Sequence, residues 1–259
     1  MTTARVVGID RLCLVSADVA RFTAFYQSAF DARLLSNTTI AIGNERIELI
    51  TFDEPGMPYP ADAIASDVTF QHFAIVVTDM EAAYARLGEL DGWRPISRGG
   101  PQRLPANTGG VTAFKFRDPE GHPLELLEFP PDAVPARWKN SATSSITLGI
   151  DHTAMSVADV DASIAFYASL GFHVSNRSTN RGVEQDRLDG IDGLCVEVIA
   201  LSPPESTPHL ELLCYAMRRS VAATGPHDIA ATRVVLTADN ALGEMRDPDG
   251  HRLIVSAIE

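Results

Sequence analysis

Asp118-Pro119-Glu120-Gly121-His122-Pro123-Leu124-Glu125-Leu126-Leu127-Glu128-Phe129 carries most of what the sequence says about its fold. Asp-Pro followed by Gly specifies a tight turn. From Pro123 to Phe129 the residues alternate between two faces, which is the pattern of a strand. Glu125 sits mid-strand between Leu124 and Leu126. A carboxylate carried inward there needs a cation, a metal or a proton beside it. The turn and strand return as Asp247-Pro248-Asp249-Gly250-His251-Arg252-Leu253-Ile254, with Ile254 where the first copy has Glu125.

Working outward, the openings of the two halves also repeat. Both Gly8-Ile9-Asp10 and Gly149-Ile150-Asp151 lead into an apolar strand and then Ala-Asp-Val, at Ala17–Val19 and Ala158–Val160. Asp18 and Asp159 are N-cap candidates. Behind them Val19, Phe22 and Tyr26, and Val160, Ile164 and Tyr167, fall on one helical face. Phe70 opens a third strand–Asp–helix unit capped by Asp79. A fourth starts near Ile229 and lacks room for a helix, because only six residues separate Asp239 from Arg246. The chain therefore reads as four units opening near residues 7, 70, 149 and 229. Residues 131–147 read as a Pro- and Ser-containing linker between segments 1–130 and 148–259.

The bulk composition fits a globular chain: 259 residues, 45% apolar and 21% charged. A net charge of -13 argues against nucleic acid or an anionic membrane as partner through a broad basic surface. No uninterrupted apolar run is long enough to span a bilayer. The N-terminus has no signal-peptide pattern, and Cys13, Cys195 and Cys214 are scattered in strand-like runs as reduced core thiols are. The expected location is the cytoplasm.

The strand–Asp–helix openings with Phe25-Tyr26 and Phe166-Tyr167, and the two Asp-Pro-x-Gly-His turns, resemble the vicinal oxygen chelate superfamily of glyoxalase I, bleomycin-resistance proteins and extradiol dioxygenases. The resemblance implies an α+β chain of tandem βαβββ units pairing into two cupped, incomplete barrels. It further implies that units one and two form one cup and units three and four the other, and it allows a homodimer. Family metal ligands come from the opening and closing strands. The opening positions lie seven residues before each capping Asp, at Arg11, His72, His152 and Thr232. The closing positions are Glu48, Glu125, Glu211 and Ile254, aligned through the runs RIELITF, PLELLEF and HLELLCY.

With consecutive units paired, the first cup collects Arg11, Glu48, His72 and Glu125, and the second collects His152, Glu211, Thr232 and Ile254. His72, Glu125 and Glu48 then form the expected metal site, with His152 and Glu211 (joined by His209) as secondary candidates. Imidazole and carboxylate together suit a divalent Zn, Fe, Mn, Co or Ni ion. Glu125 and Glu48 are the candidate proton carriers. Arg11 cannot ligate, and it either stabilises developing negative charge or pairs with a carboxylate. A lone His72 would be an ordinary core histidine; two carboxylates at homologous positions favour a metal.

Two readings follow. One is a metal-dependent isomerase or lyase acting on a small oxygen-rich carbonyl or enolate substrate. The other is a metal-free small-molecule binding or drug-resistance protein. An extradiol dioxygenase is disfavoured, because neither cup holds two histidines and a glutamate. Arg98–Arg103 reads as a substrate-covering loop or a hairpin connection, Asn180–Gln185 as a surface turn, Trp138 as an anchor between the halves, and His122 and His251 as structural.

Overall fold

The computed structural model describes residues 4–139, 145–205 and 208–258. Unit one contains β1 (Val6–Val15), α1 (Val19–Phe30), β2 (Arg33–Ser36), β3 (Thr39–Ile42) and β4 (Glu45–Ile50). Unit two contains β5 (Gln71–Val77), α2 (Met80–Gly88), the short β6 (Arg94–Pro95) and β7 (Gln102–Arg103), then β8 (Thr112–Arg117) and β9 (Pro123–Glu128). Part of the expected linker is a one-turn helix α3 (Ala136–Lys139); its residues 140–144 lie outside the described residues. Unit three contains β10 (Thr147–Ser156), α4 (Val160–Ser169), β11 (His173–Arg181), α5 (Val183–Asp189), β12 (Cys195–Ser202) and β13 (His209–Tyr215). Unit four has only β14 (Arg233–Ala238), β15 (Gly243–Arg246) and β16 (Arg252–Ala257), with no helix among its described residues.

Local chemistry sets the helix starts. Asp18, Asp79 and Asp159 each accept a backbone N–H three residues on, at 3.0, 2.9 and 3.1 Å. The Phe-Tyr pairs and the Asp-Pro-x-Gly-His turns prove to be mates. Tyr26 donates to Asp118 across the boundary between units one and two at 3.1 Å, and Tyr167 donates to Asp247 between units three and four at 3.0 Å. His122 donates to the Val15 carbonyl at 3.1 Å and His251 to the Ser156 carbonyl at 2.9 Å. All four side chains are buried, so these two histidines are structural pins.

The strands pair across the halves instead of within them. One sheet runs β15-β16-β14-β1-β4-β3-β2 and the other β11-β12-β13-β10-β5-β9-β8-β6, with β7 on β8. Units one and four therefore share a sheet through antiparallel β1–β14, and units two and three through antiparallel β5–β10. This overturns the expected pairing of consecutive units. The reason is physical. The Tyr–Asp and His–carbonyl bonds fasten units one and two together through helix and turn, leaving an open edge on each opening strand. An open edge needs a partner, and the other half supplies it. All four opening strands carry similar apolar alternation, so the sequence pattern does not distinguish the choices. Both sheets are open and curled, and one continuous core joins them, with Phe22, Tyr26, Phe114, Phe116 and Tyr167 among its large buried side chains.

The stretch read as a surface turn is also corrected. It leads into α5, which buries Gln185, Leu188 and Asp189 against unit two. Ser97 donates to the Leu188 carbonyl at 2.8 Å, and Arg98 pairs with Asp192 at 2.8 Å, so the Arg98–Arg103 loop is stapled to unit three. No described helix is long and apolar enough to cross a membrane.

Candidate metal centre

In every unit the opening strand lies parallel beside its own closing strand: β1 with β4, β5 with β9, β10 with β13 and β14 with β16. The central order β13-β10-β5-β9 therefore brings both ligand positions of unit two to those of unit three. His152 stands opposite Ala74, which stands opposite Glu125, and Ala154 opposite Glu211. Side chains at i and i+2 share a face, so His72, Glu125, His152 and Glu211 all project into one concave surface.

The distances bear this out. His72 Nε2 lies 2.9 Å from Glu125 Oε2. His152 Nε2 lies 4.0 Å from the same oxygen and 3.5 Å from Glu211 Oε2. His72, Glu125 and His152 are buried, and their ligand atoms lie within 4.8 Å of one another. A cavity of about 710 Å³ opens over all four residues.

Asp151 and Trp138 set the orientation of His152. Its Nδ1 lies 3.1 Å from Asp151 Oδ2, while Asp151 Oδ1 accepts from Trp138 Nε1 at 3.0 Å. Trp138 thus ties the linker to unit three and also orders a site residue. With Nδ1–H turned to Asp151, Nε2 points at two carboxylates, yet it is buried and has no hydrogen-bond partner. Burial pushes the His152 pKa down, but Glu211, Asp151 and Glu125 outweigh it and bring it up to about 9. Burial pushes Glu211 up, and His152 and His209 outweigh that, leaving it at about 2. Burial lowers His72, assisted by the charge of Lys115. Anionic Glu125 and Glu211 draw positive charge to the unpartnered His152 nitrogen, either as a ring proton or as a bound cation in its place. Two imidazoles and two carboxylates are a donor set that suits a divalent transition metal. A second group, Asp151, His152 and His209, flanks the first.

Glu48 is elsewhere. It lies on β4 in the other sheet, where its Oε2 accepts from Arg11 Nε at 2.7 Å and from the Cys13 thiol at 3.4 Å. Arg11 also pairs with Asp10, which pairs with Arg46. The cup of units one and four thus holds an ion-paired network where its counterpart holds His and Glu. The structure separates Glu48 and Arg11 from His72 and Glu125 and brings His152 and Glu211 to them.

Lys115 is the cavity residue that sequence reading missed. It is buried on β8 directly opposite Glu125, and its ammonium donates to Asp189 of α5 at 2.6 Å. The available signal was a lysine in the alternating run Thr112–Arg117 between two phenylalanines.

The sequence matches the model of the Glyoxalase/Bleomycin resistance protein/Dioxygenase superfamily over residues 8–126 and 149–239. The chain belongs to this superfamily. A second superfamily model of the same description matches residues 71–191, running across the linker from β5 to just beyond α5, within the units that share the second sheet. Glyoxalase I from Zea mays is similar in fold at a TM-score of 0.61 and 15% identity, over 98% of this chain and 92% of that one. Methylmalonyl-CoA epimerase from Mycobacterium tuberculosis covers 60% of this chain and 93% of its own at 18% identity, with a TM-score of 0.42. No curated protein matches the sequence.

Proposed function

We propose that this superfamily member is a metal-dependent isomerase or lyase acting on a small carbonyl or enolisable substrate, with its working site at His72, Glu125, His152 and Glu211. The carrying observation is the buried, unpartnered His152 Nε2 aimed at Glu125 and Glu211. These four residues would hold the ion, and a bound divalent metal would supply Lewis-acid polarisation of a substrate oxygen.

The chain's own residues supply the rest. Asp151 holds the His152 ring by Nδ1, as second-layer carboxylates hold ligating imidazoles. Glu125 and Glu211 are the carboxylates at the cavity floor able to take a proton from a substrate carbon and return it. Glu125 lies deeper, and Glu211 is reached by His209 Nε2 at 3.6 Å. The 710 Å³ cavity accommodates a substrate considerably larger than a three-carbon aldehyde.

A second reading is a ring-cleaving dioxygenase. It is favoured by His72, His152 and Glu125 forming a two-histidine, one-carboxylate group, which pairing consecutive units had split. Against it stands Glu211 as a fourth donor. The metal-free binding reading draws on the direct His72–Glu125 contact, which closes part of the cup without an ion.

Elemental mass spectrometry of the purified chain separates these. Zinc, nickel or cobalt near one per chain, with turnover of enolisable aldehydes or ketones, supports the isomerase–lyase reading. Iron with oxygen-dependent catechol cleavage overturns it for the dioxygenase. No metal after reconstitution overturns both.

A further inference from the structure

The residue opposite each closing-strand position differs sharply among the four units. Thr39 faces Glu48, Ala200 faces Glu211 and Glu244 faces Ile254. Only Glu125 faces a lysine, Lys115, on the same face of the sheet. One wall of the cup is thus cut back to a methyl group, while the other carries a cation.

Lys115 is also built in place. An ammonium has three donors. Asp189 Oδ1 takes one at 2.6 Å, and no other acceptor lies within hydrogen-bonding distance among the described residues. Asp189 Oδ2 is itself held by Gln185 Nε2 at 2.9 Å and the Tyr215 hydroxyl at 3.2 Å, and Gln185 Oε1 accepts from Asn180 at 3.2 Å. Lys115, Gln185, Tyr215 and Asn180 all border the cavity that holds His72, Glu125, His152 and Glu211. The helix supplying Asp189 is inserted between β11 and β12, and the matching β2–β3 connection of unit one is only a short turn. A buried ion pair of this kind is costly to desolvate and weak evidence of stabilisation. Two unspent donors at a cavity wall indicate a ligand oxygen.

We propose that Lys115 is a catalytic residue whose free N–H donors hold the substrate oxygen on which negative charge develops. The step is proton abstraction next to a carbonyl. The C–H bond breaks, its proton passes to a glutamate carboxylate, its electron pair forms the C=C bond of an enolate, and the carbonyl oxygen becomes anionic against the Lys115 ammonium. Return of the proton to carbon reverses the charge. This rests on the metal-dependent carbonyl reading above.

Acetohydroxamate, a planar anion with two adjacent oxygens, serves as the probe on cobalt(II)-loaded full-length protein, with affinity read by calorimetry and the visible cobalt spectrum. Asp189→Asn keeps the ammonium and is expected to bind the probe within about threefold of wild type. The double variant Lys115→Met/Asp189→Asn avoids stranding a buried carboxylate. It is expected to take up cobalt fully and to bind the probe about tenfold or more weakly, as for a lost charge-assisted hydrogen bond. Should it not fold, Lys115→Gln, which can face Asp189 but is too short to reach both partners, is expected to show the same loss. Unchanged probe affinity in the lysine variant that folds overturns the role of Lys115 alone, as does a cobalt-loaded wild type that does not bind the probe. Failure of wild type to take up cobalt overturns the metal reading, and this proposal with it.

Discussion

Asp151 Oδ2 lies 3.1 Å from His152 Nδ1, and the two residues are consecutive on β10. The other Asp151 oxygen is tied to Trp138 of the linker, so the contact fixes which imidazole nitrogen enters the cavity. Asp151→Ala is expected to lower divalent-metal affinity by about 10- to 100-fold while leaving the four ligand residues in place. Isothermal titration with zinc or cobalt checks this; unchanged affinity would mean that His152 needs no such orientation.

Metal uptake also distinguishes the two pairings of units. Glu211→Ala and His152→Ala are expected to lose most of the bound metal. Glu48→Ala, in the other sheet, should retain it. Elemental analysis of the purified variants decides the point. Loss of metal in Glu48→Ala with retention in Glu211→Ala would restore the consecutive-unit site.

Arg11 and Glu48 form a pair whose side chains keep 31% and 35% of their exposure. Such a solvent-accessible pair contributes about 0–1 kcal/mol. Arg11→Met should therefore change urea-unfolding stability by about 1 kcal/mol or less. Lys115→Met alone strands buried Asp189, whose side chain is 0% exposed, and should cost about 3–5 kcal/mol.

His122 should make stability pH-dependent. Its Nε2 faces the Val15 carbonyl and its Nδ1 the Asp118 carboxylate, both acceptors, so both ring nitrogens carry protons. Burial disfavours the charged ring, but the Asp118 charge and hydrogen bond outweigh it and raise the pKa above its ordinary 6.5. A raised folded-state value means that the folded chain binds the proton more tightly. The stabilisation is therefore full below about pH 6.5 and lost as pH rises through the higher folded value. Denaturant titrations from pH 6 upward should show that decline, flattened in His122→Gln. Identical slopes for both would remove His122 as the source.

Tyr26→Phe removes a buried hydrogen bond to Asp118, and Tyr167→Phe removes its counterpart to Asp247. Each is expected to cost about 1–3 kcal/mol, because a buried acceptor loses a donor. Thermal unfolding of the two variants tests whether the repeated motifs fasten both halves alike.

The sequence by itself determined the four units, their order and the opening- and closing-strand positions that face the cups. Asp caps, Phe-Tyr helices and Asp-Pro-x-Gly-His turns are local signals, written in residues a few positions apart, and register counted from them reached His72, Glu125, His152 and Glu211 individually. It also marked unit four as lacking a helix. Only the tertiary structure decided which units share a sheet. Strand pairing depends on which open edges meet once Tyr26 and Tyr167 have locked each helix to the following turn, and the opening strands β1, β5, β10 and β14 are too alike in pattern to specify their partners. That choice left Glu48 and Arg11 together in the other sheet, joined His152 to Glu125, and placed Lys115 beside Asp189 of a helix 74 positions away. A contact across such a separation leaves no periodicity in the chain.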